Sequence, residues 1–483
     1  MLKHNNTITK AVAGALLALA ATGTSAYAAT NEELEKQLAV LQQTVEALKQ
    51  QVQSQKVAVP ENVATQDDVE GVRADLENFK YDESRQQERN TAKTFRDTTL
   101  FGAVQTRAQL QDHQDNAATL AGNGNPASNA SNRSSTFDVP LALLGVRGNL
   151  YKDYVEGKNL DYQLSFTYGK RSDGTNNSDF NLADAFLRYN VLSTNGGLEA
   201  SKLNVTFGQQ LIPFGLEAQA PEELRPTINV ANAPAFLGLF NRQVGVIVRG
   251  DVNPFVDYAA NYRAPLVEYA FGVVNGNAQN KLDNNNSKDY LGRVALTLPV
   301  NYASWLRELK VGTSFYKGSA NVKNAAGTAV LNNDGKSDRY GFDLYYNHAP
   351  YGATYEYFQG RTDVARANNT IGEAKGEGHT LTLFYTFGDQ FFNSIKSVAK
   401  FDDWHPQSIQ PFYRYDYYNP NKNAALPGFP KDTNAWTTQT LGVNWFFAQT
   451  TKLQIGLNHV NYDTETATKN DYNELQAQFQ YGF

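Results

Sequence analysis

The side chains with the clearest chemical potential are seven basic residues, each at a polar position of a segment whose polarity alternates. These residues are Arg107, Arg188, Lys202, Arg249, Arg293, Lys310 and Arg414. The planar guanidinium group of arginine donates paired hydrogen bonds, which suits the recognition of oxyanions. Acidic side chains occupy equivalent positions: Asp184, Glu268, Asp343, Glu356, Asp416 and Glu474. Two interpretations remain open, a ladder of cations that guides anions or a set of ion pairs that faces water.

A second group of charged residues lies in one proline-rich segment, residues 209–240. Arg225 is flanked there by Glu217, Glu222 and Glu223. The segment also contains four prolines and many large apolar residues, more apolar surface than a loop exposed to water would carry. We expect it to pack inside the structure that the alternating segments form and to narrow the interior. Packing at the rim or on a neighbouring subunit is the alternative.

The last eleven residues, Asn473 to Phe483, show the alternation most clearly. Successive side chains of a strand point to opposite faces, so one face here is apolar and the other polar. The apolar face contains Leu475, Ala477, Phe479, Tyr481 and Phe483, and the polar face contains Glu474, Gln476, Gln478 and Gln480. An aromatic end of this kind is typical of the closing strand of an outer-membrane barrel. We expect it to pair with residues 99–111, which would leave no free edge, and to support assembly through Phe479, Tyr481 and Phe483.

The chain from residue 98 onward is predicted to be all-β, because sixteen alternating segments follow one another. They begin near residues 99, 137, 159, 180, 201, 241, 265, 288, 308, 339, 351, 378, 408, 435, 452 and 473. Long polar connections are expected at residues 112–136, 275–287, 319–338, 361–376, 419–434 and 461–472, with mostly short turns between them. An even number of strands with this asymmetry predicts a 16-stranded antiparallel transmembrane β-barrel over residues 98–483. Both termini would then lie in the periplasm.

The amino-terminal region predicts export and a helical arm. Residues 1–28 have a basic start, a short apolar core and the cleavage pattern Ala26-Tyr27-Ala28, which predicts a signal peptide. Residues 29–57 carry a heptad seam that predicts a coiled-coil arm in the periplasm. The seam residues are Leu34, Leu38, Leu41, Val45, Leu48 and Val52. A single amphipathic helix packed on its own barrel is the alternative, and residues 58–97 are predicted to form a second helical stretch and a linker.

Several classes of function are disfavoured. Beyond residue 28, no apolar run approaches the roughly 18 residues that a membrane-spanning helix needs. The six histidines lack ligand spacing, and no nucleophile elbow, phosphate-binding loop or metal motif is present. We therefore predict no catalytic residues, no metal, no cofactor and no nucleic-acid partner, and we do not expect an enzyme.

The segment that leads into the proline-rich loop resembles a known family. Residues 205–217, Val-Thr-Phe-Gly-Gln-Gln-Leu-Ile-Pro-Phe-Gly-Leu-Glu, are similar to the phosphate-selective porin O and P family. Residues 145–148, 241–246, 271–277 and 292–294 are similar to that family in the same order. The resemblance implies a sixteen-stranded trimeric porin whose interior guides phosphate along arginine and lysine side chains. It also implies that the terminal strand is an assembly-recognition signal.

These observations predict an outer-membrane porin for passive diffusion of small hydrophilic solutes or ions, with a phosphate or anion preference as a hypothesis. Residues 97–483 contain 32 basic and 36 acidic residues, so the interpretation as ion pairs stays open beside the ladder. The expected partners are outer-membrane lipid, two sister subunits, and small solutes or inorganic anions. The alternative function is a structural anchor whose coiled-coil arm tethers the barrel to another envelope component.

Overall fold

The structure is a computed structural model in two compact units, Met1–Gln86 and Gln87–Phe483. It describes residues 31–57, 66–90, 97–112, 134–152, 159–169, 180–192, 202–253, 255–257, 262–300, 304–348, 350–389, 405–423, 425–427, 429–465 and 470–483. The predicted signal peptide, residues 1–28, lies outside the described residues.

The first unit contains helix α1 (Asn31–Val57), and helix α2 (Gln66–Asn90) begins in it. The side chains of Leu38, Leu41, Val45 and Leu48 are more than half exposed along α1. The structure therefore shows the predicted helix with an uncovered apolar seam, and it does not show a coiled coil. Among the described residues, no helix is both long enough and apolar enough to cross a membrane.

The second unit is built from β-strands. The strands are β1 (Asp97–Gln111), β2 (Ser134–Lys152), β3 (Asn159–Gly169), β4 (Asn181–Leu192), β5 (Leu203–Gln210), β6 (Gln243–Val252), β7 (Phe255–Asp257), β8 (Tyr262–Ala264), β9 (Val267–Val274), β10 (Asp289–Thr297), β11 (Lys310–Lys317), β12 (Ser319–Lys323), β13 (Val330–His348), β14 (Tyr351–Ala365), β15 (Ile371–Tyr385), β16 (Phe387–Gly388), β17 (Ser408–Asn419), β18 (Trp436–Phe446), β19 (Lys452–Tyr462) and β20 (Tyr472–Gly482). A short helix, α3 (Asn232–Phe236), lies between β5 and β6.

Sixteen of these strands form one closed antiparallel barrel. They are β1–β6, β9–β11, β13–β15 and β17–β20, each paired with its neighbours in chain order. Strand β1 also pairs with β20, from Ala103 opposite Gly482 to Gln111 opposite Glu474. The prediction of a closed 16-stranded barrel is therefore confirmed, including the pairing of the first strand with the last. Strands β12 and β16 add short pairings at the margins, and β7 and β8 form a separate hairpin.

The two faces of the barrel differ as the alternation predicts. On β20, Gln476, Gln478 and Gln480 are at most 3% exposed because they point inward, whereas Phe479 and Tyr481 are 38% and 44% exposed on the outer face. We call the end where β1 begins and β20 ends the terminal end, and the opposite end the loop end.

Two of the predicted long connections are wrong. Residues 319–338 contain β12 and the first part of β13, and residues 361–376 contain the ends of β14 and β15. Strands β14 and β15 remain paired as far as Ala365 opposite Ile371. The prediction ended each strand where apolar residues stopped alternating, but ladder hydrogen bonds use the backbone and continue through polar sequence. The chain therefore forms long hairpins here rather than loops.

Candidate functional site

The connection between β5 and β6, residues 211–242, lies inside the barrel and is called the inner loop below. Its hydrogen bonds reach inward-facing side chains on three separated strands. They join Gly215 N to Ser314 Oγ of β11 at 3.1 Å, Asn232 N to Asp416 Oδ2 of β17 at 2.8 Å, and Asn229 Nδ2 to Glu474 Oε2 of β20 at 3.2 Å. The inner loop therefore crosses the interior and narrows it.

The apolar residues of the inner loop explain why it packs inside. Ile212, Phe214, Leu239 and Phe240 are at most 2% exposed, so they form a core between the loop and the wall. A Cβ at Gly341 of β13 would lie 2.7 Å from the Phe214 ring, so glycine leaves the space that this ring fills. Burying side chains of this size stabilises the inward position by about 1.5–3 kcal/mol each.

A buried ion pair connects the inner loop to β17. Arg414 Nη2 lies 2.6 Å from Glu217 Oε2, and the two side chains are 4% and 9% exposed. Arg414 also donates to Thr227 Oγ1 at 2.5 Å and to the carbonyl of Asn229 at 3.2 Å. One guanidinium group therefore holds two separate stretches of the loop.

A second ion-paired group connects the inner loop to β4. Both terminal nitrogens of Arg242 donate to Glu222, at 2.7 and 2.8 Å, and Nε donates to Asp184 Oδ1 at 2.9 Å. Arg225, 7% exposed, lies 4.0 Å from the same Glu222 and 4.6 Å from the centre of the Phe240 ring. Two guanidinium groups therefore share one loop carboxylate, and Arg225 Nε and Nη2 have no hydrogen-bond partner among the described residues.

Two neighbouring carboxyl groups of the inner loop differ electrostatically. Burial would raise the pKa of Glu222, but the charge and hydrogen bonds of Arg242 outweigh burial and lower this pKa to about 2. Burial and the adjacent Glu222 carboxylate raise the pKa of Glu223 to about 7. Glu222 is therefore ionised at neutral pH, whereas Glu223 takes up a proton near neutrality.

The wall also holds the main chain of the inner loop. Side chains of β18, β19 and β20 donate to three loop carbonyls. Gln480 donates to Glu223 O at 2.8 Å, Lys452 to Arg225 O, and both Asn444 and Gln454 to Pro226 O at 2.9 and 3.1 Å. These four donors fix the backbone beside the charged residues. Sequence reasoning missed them, although Lys452, Gln454 and Gln480 have the inward parity of their strands.

Most of the predicted interior cations are paired with acids. Arg107 lies 2.5 Å from Asp138, Arg188 lies 3.2 Å from Asp161, and Lys310 contacts Glu268. Arg249 is different: its guanidinium donates to Gln210 Oε1 at 2.5 Å and to Leu211 O at 3.0 Å, with no carboxylate within 4.0 Å among the described residues. Lys202 is exposed just before β5.

Arg293 and Asp343 pair across an intervening strand. Arg293 Nη2 donates to Asp343 Oδ1 at 2.8 Å, although β11 lies between their strands. A Cβ at Gly312 of β11 would lie 2.6 Å from Asp343 Oδ1 and 2.7 Å from Arg293 Nη2. The missing side chain of Gly312 is therefore what lets the two charges meet.

Two cavities flank the inner loop. The cavity toward the loop end has a volume of about 350 Å³, and its lining includes Arg107, Arg225 and Arg414. The cavity toward the terminal end has a volume of about 490 Å³, and its lining includes Arg249 and Arg293. Arg225, which shares Glu222 with Arg242, and Arg249, which has no carboxylate within 4.0 Å among the described residues, therefore lie on opposite sides of the loop.

Inward-facing aromatic residues at the loop end were also missed. Trp436 is paired in register with Tyr418 and with Tyr462, and all three share the inward parity of Arg414 and Asp416. Arg414 and Tyr418 are separated by an even number of positions on β17, so their side chains lie on the same face. This spacing was the available signal that Tyr418 points inward.

The closing seam brings the last residue to the first strand. Phe483 N donates to Gly102 O at 3.0 Å, and Gly102 N donates to Phe483 O at 2.9 Å. Phe479, Tyr481 and Phe483 lie on the outer face and are 38–44% exposed. These three residues therefore belong to the outer wall at the terminal end, away from the interior.

The family model for phosphate-selective porin O and P matches residues 121–483. The chain belongs to this family. As a phosphate-selective porin O and P member, it forms an outer-membrane channel for passive diffusion of small hydrophilic solutes or ions rather than an enzyme. No curated protein matches the chain.

Solved outer-membrane proteins are similar to this family member. The anion-selective porin from Comamonas acidovorans is 15% identical, with a TM-score of 0.47 over 80% of this chain and 99% of that one. The outer membrane channel DcaP of Acinetobacter baumannii is 11% identical, with a TM-score of 0.49 over 80% and 97%. OprB of Pseudomonas putida is 11% identical, with a TM-score of 0.48 over 80% and 94%.

Proposed function

We propose that solutes pass beside the inner loop with a weak anion preference carried by Arg225 and Arg249. The observation that supports this proposal is that Arg249 has no carboxylate within 4.0 Å among the described residues and Arg225 shares Glu222 with Arg242, whereas Arg107, Arg293 and Arg414 each have a carboxylate of their own. Strong selectivity needs a ring or ladder of one sign. Ion pairs neutralise most of the predicted interior cations, which supports a weak anion preference and passage of neutral solutes.

Arg225→Gln and Arg249→Gln are each expected to lower the anion-to-cation permeability ratio by about twofold, because each removes a positive charge from the lining of one of the two cavities. The measurement is the reversal potential of single channels in a salt gradient. The matched control is the double variant Arg107→Gln with Asp138→Asn, which removes an ion pair without changing net charge and should leave the ratio unchanged. Adding phosphate should reduce the chloride current of the wild-type channel. A current carried mainly by cations and insensitive to phosphate would contradict the proposal.

We infer that the functional unit is a homotrimer with the terminal end of each barrel facing the periplasm. In this arrangement, residues 1–28 are a removed signal peptide, residues 29–57 form a coiled coil with the same segment of two sister subunits, residues 58–97 are a helical linker, and residues 98–483 are the barrel. The exposed seam of α1 supports this proposal, since Leu41 is 61% and Leu48 is 55% exposed. An isolated helix of this length is marginal in water, so it gains stability from partner helices.

The double variant Leu41→Asp with Leu48→Asp is expected to reduce the trimer population about tenfold, because charges at seam positions oppose helix association. Analytical ultracentrifugation in detergent measures this change. Gln43→Asp with Gln50→Asp places the same charges on the opposite face of α1 and should preserve the trimer. An unchanged trimer in the seam variant would show that the barrel walls alone drive assembly. Cross-links between α1 and a different envelope protein would instead favour the alternative role as a tether.

A further inference from the structure

An aromatic group lines the loop-end cavity and is called the aromatic shelf. It consists of Phe236, Trp436, Tyr462 and Tyr472. Phe236 is 67% exposed although it lies in the barrel interior, and its ring packs edge-on against Trp436 with centroids 4.8 Å apart. Tyr418 supports Phe236 from behind, with stacked rings 5.7 Å apart. A large apolar side chain held rigidly and left exposed is an informative exception to burial, and it offers a flat face to a solute.

Amide side chains follow the aromatic shelf along the same wall. On the inward face of β20, Tyr472 is succeeded by Glu474, Gln476 and Gln478, each about 6–7 Å further into the barrel. Gln105 and Gln109 of β1 line the same cavity. Each amide both donates and accepts hydrogen bonds, and so can satisfy a hydroxyl group in either role. A solute that enters from the loop end therefore meets a flat aromatic surface first and neutral hydrogen-bonding groups next.

Two carboxylates of the barrel wall, Asp416 and Glu474, line the same cavity as the aromatic shelf. Asp416 accepts from Asn232 N at 2.8 Å and from Thr380 Oγ1 at 3.0 Å. Glu474 accepts from Gln109 and, at 3.2 Å, from Asn229. The cations Arg107 and Arg414 are already engaged by Asp138 and Glu217. Carboxylates of this kind accept hydrogen bonds from hydroxyl groups, which suits a polyhydroxylated solute.

We infer that the loop-end cavity binds a cyclic polyol of mono- or disaccharide size, with one ring face on Phe236 and its hydroxyl groups on the polar side chains of β1 and β20. The volume of about 350 Å³ falls within the range of small-molecule sites. This inference rests on the proposed diffusion function, because a site of this kind lies on the path of solutes beside the inner loop. Binding at this site makes the passage of cyclic polyols saturable, whereas passive diffusion of other solutes is not saturable.

The test compares glucose with sorbitol, its open-chain relative, as blockers of ion current through the full-length protein in planar bilayers. Glucose is expected to reduce the current in a saturable way, whereas sorbitol, which has no flat ring face, should act only through solution viscosity. Phe236→Ala is expected to raise the half-blocking glucose concentration about five- to tenfold. Phe236→Trp retains a flat aromatic face and should keep the block. Phe207→Ala is the matched control, since Phe207 is 63% exposed on the outer wall.

Each other outcome has a distinct meaning. Equal effects of glucose and sorbitol, or an unchanged glucose block in Phe236→Ala, overturn the inference while leaving a conducting porin. A saturable block by benzoate in place of glucose shows a site for aromatic carboxylates and also overturns it. A wild-type protein that conducts no ions in salt alone overturns the proposed function, and this inference falls with it.

Discussion

Replacing Glu217 by glutamine is expected to release the inner loop and to raise single-channel conductance by about twofold or more. The substitution leaves the buried Arg414 guanidinium without its carboxylate, and removing one partner of a buried ion pair costs about 3–5 kcal/mol. Arg414 also holds Thr227 and Asn229, so displacement of this guanidinium loosens both stretches of the loop that narrow the barrel. Conductance and its open-channel noise in planar bilayers measure the effect.

The control for this prediction is Asp161→Asn. It breaks the pair between Asp161 and Arg188, whose side chain is 43% exposed, so the expected cost is below about 1 kcal/mol. This variant should conduct as a single quiet level. If Glu217→Gln conducted like the wild type and kept its thermal stability, the ion pair with Arg414 would not hold the loop.

Deleting Phe483 is expected to reduce the amount of folded barrel in the outer membrane by about tenfold or more. The deletion removes both backbone hydrogen bonds between Phe483 and Gly102 at the closing seam. It also removes a ring that covers Gly102, since a Cβ on that glycine would lie 2.5 Å from Phe483 Cζ. An open seam exposes unpaired backbone groups, which the hydrocarbon phase penalises by several kcal/mol each. Heat-modifiable migration of outer-membrane fractions measures the folded amount.

The channels that do assemble without Phe483 should conduct normally, because this residue lies on the outer wall and not in the interior. Phe271→Ala is the control, since Phe271 is another half-exposed outer phenylalanine but is remote from the seam. It should assemble close to the wild-type level. Normal assembly with altered conductance would mean that Phe483 acts on transport instead of on closure.

The strands could be predicted because apolar and polar residues alternate in the sequence with a period of two. Each of the sixteen predicted segments overlaps a barrel strand, and the pairing of β1 with β20 follows from closure. Polar extensions such as residues 361–376 were misjudged as loops because their apolar signal ends before their backbone pairing does. The helix α1 was predicted as a helix, whereas its assembly depends on chains that a single sequence does not contain.

The partners of the interior charges could not be predicted, because they depend on register between strands. Arg107 meets Asp138 only because the pairing of β1 with β2 shifts between Gln105 and Arg107. Arg293 meets Asp343 across a third strand, through the gap at Gly312. Parity along one strand shows that a side chain points inward, but it does not show which neighbour lies beside it. The hydrogen bonds from the inner loop to β17 and β20 also join residues that are far apart in the sequence, so no local pattern indicates them.

The hydrogen bonds from the barrel wall to the inner loop have a consequence for how the permeation of this channel can be altered. The donors Lys452 and Gln480 hold the peptide carbonyls of Arg225 and Glu223, not their side chains. Any residue that permits the same backbone path presents the same carbonyl. The side chains that line the channel are therefore independent of the hydrogen bonds that hold the loop backbone. Glu223 and Arg225 can be replaced to alter permeation while the loop keeps its position. An engineer who wants a different solute would change these side chains and leave the four wall donors untouched.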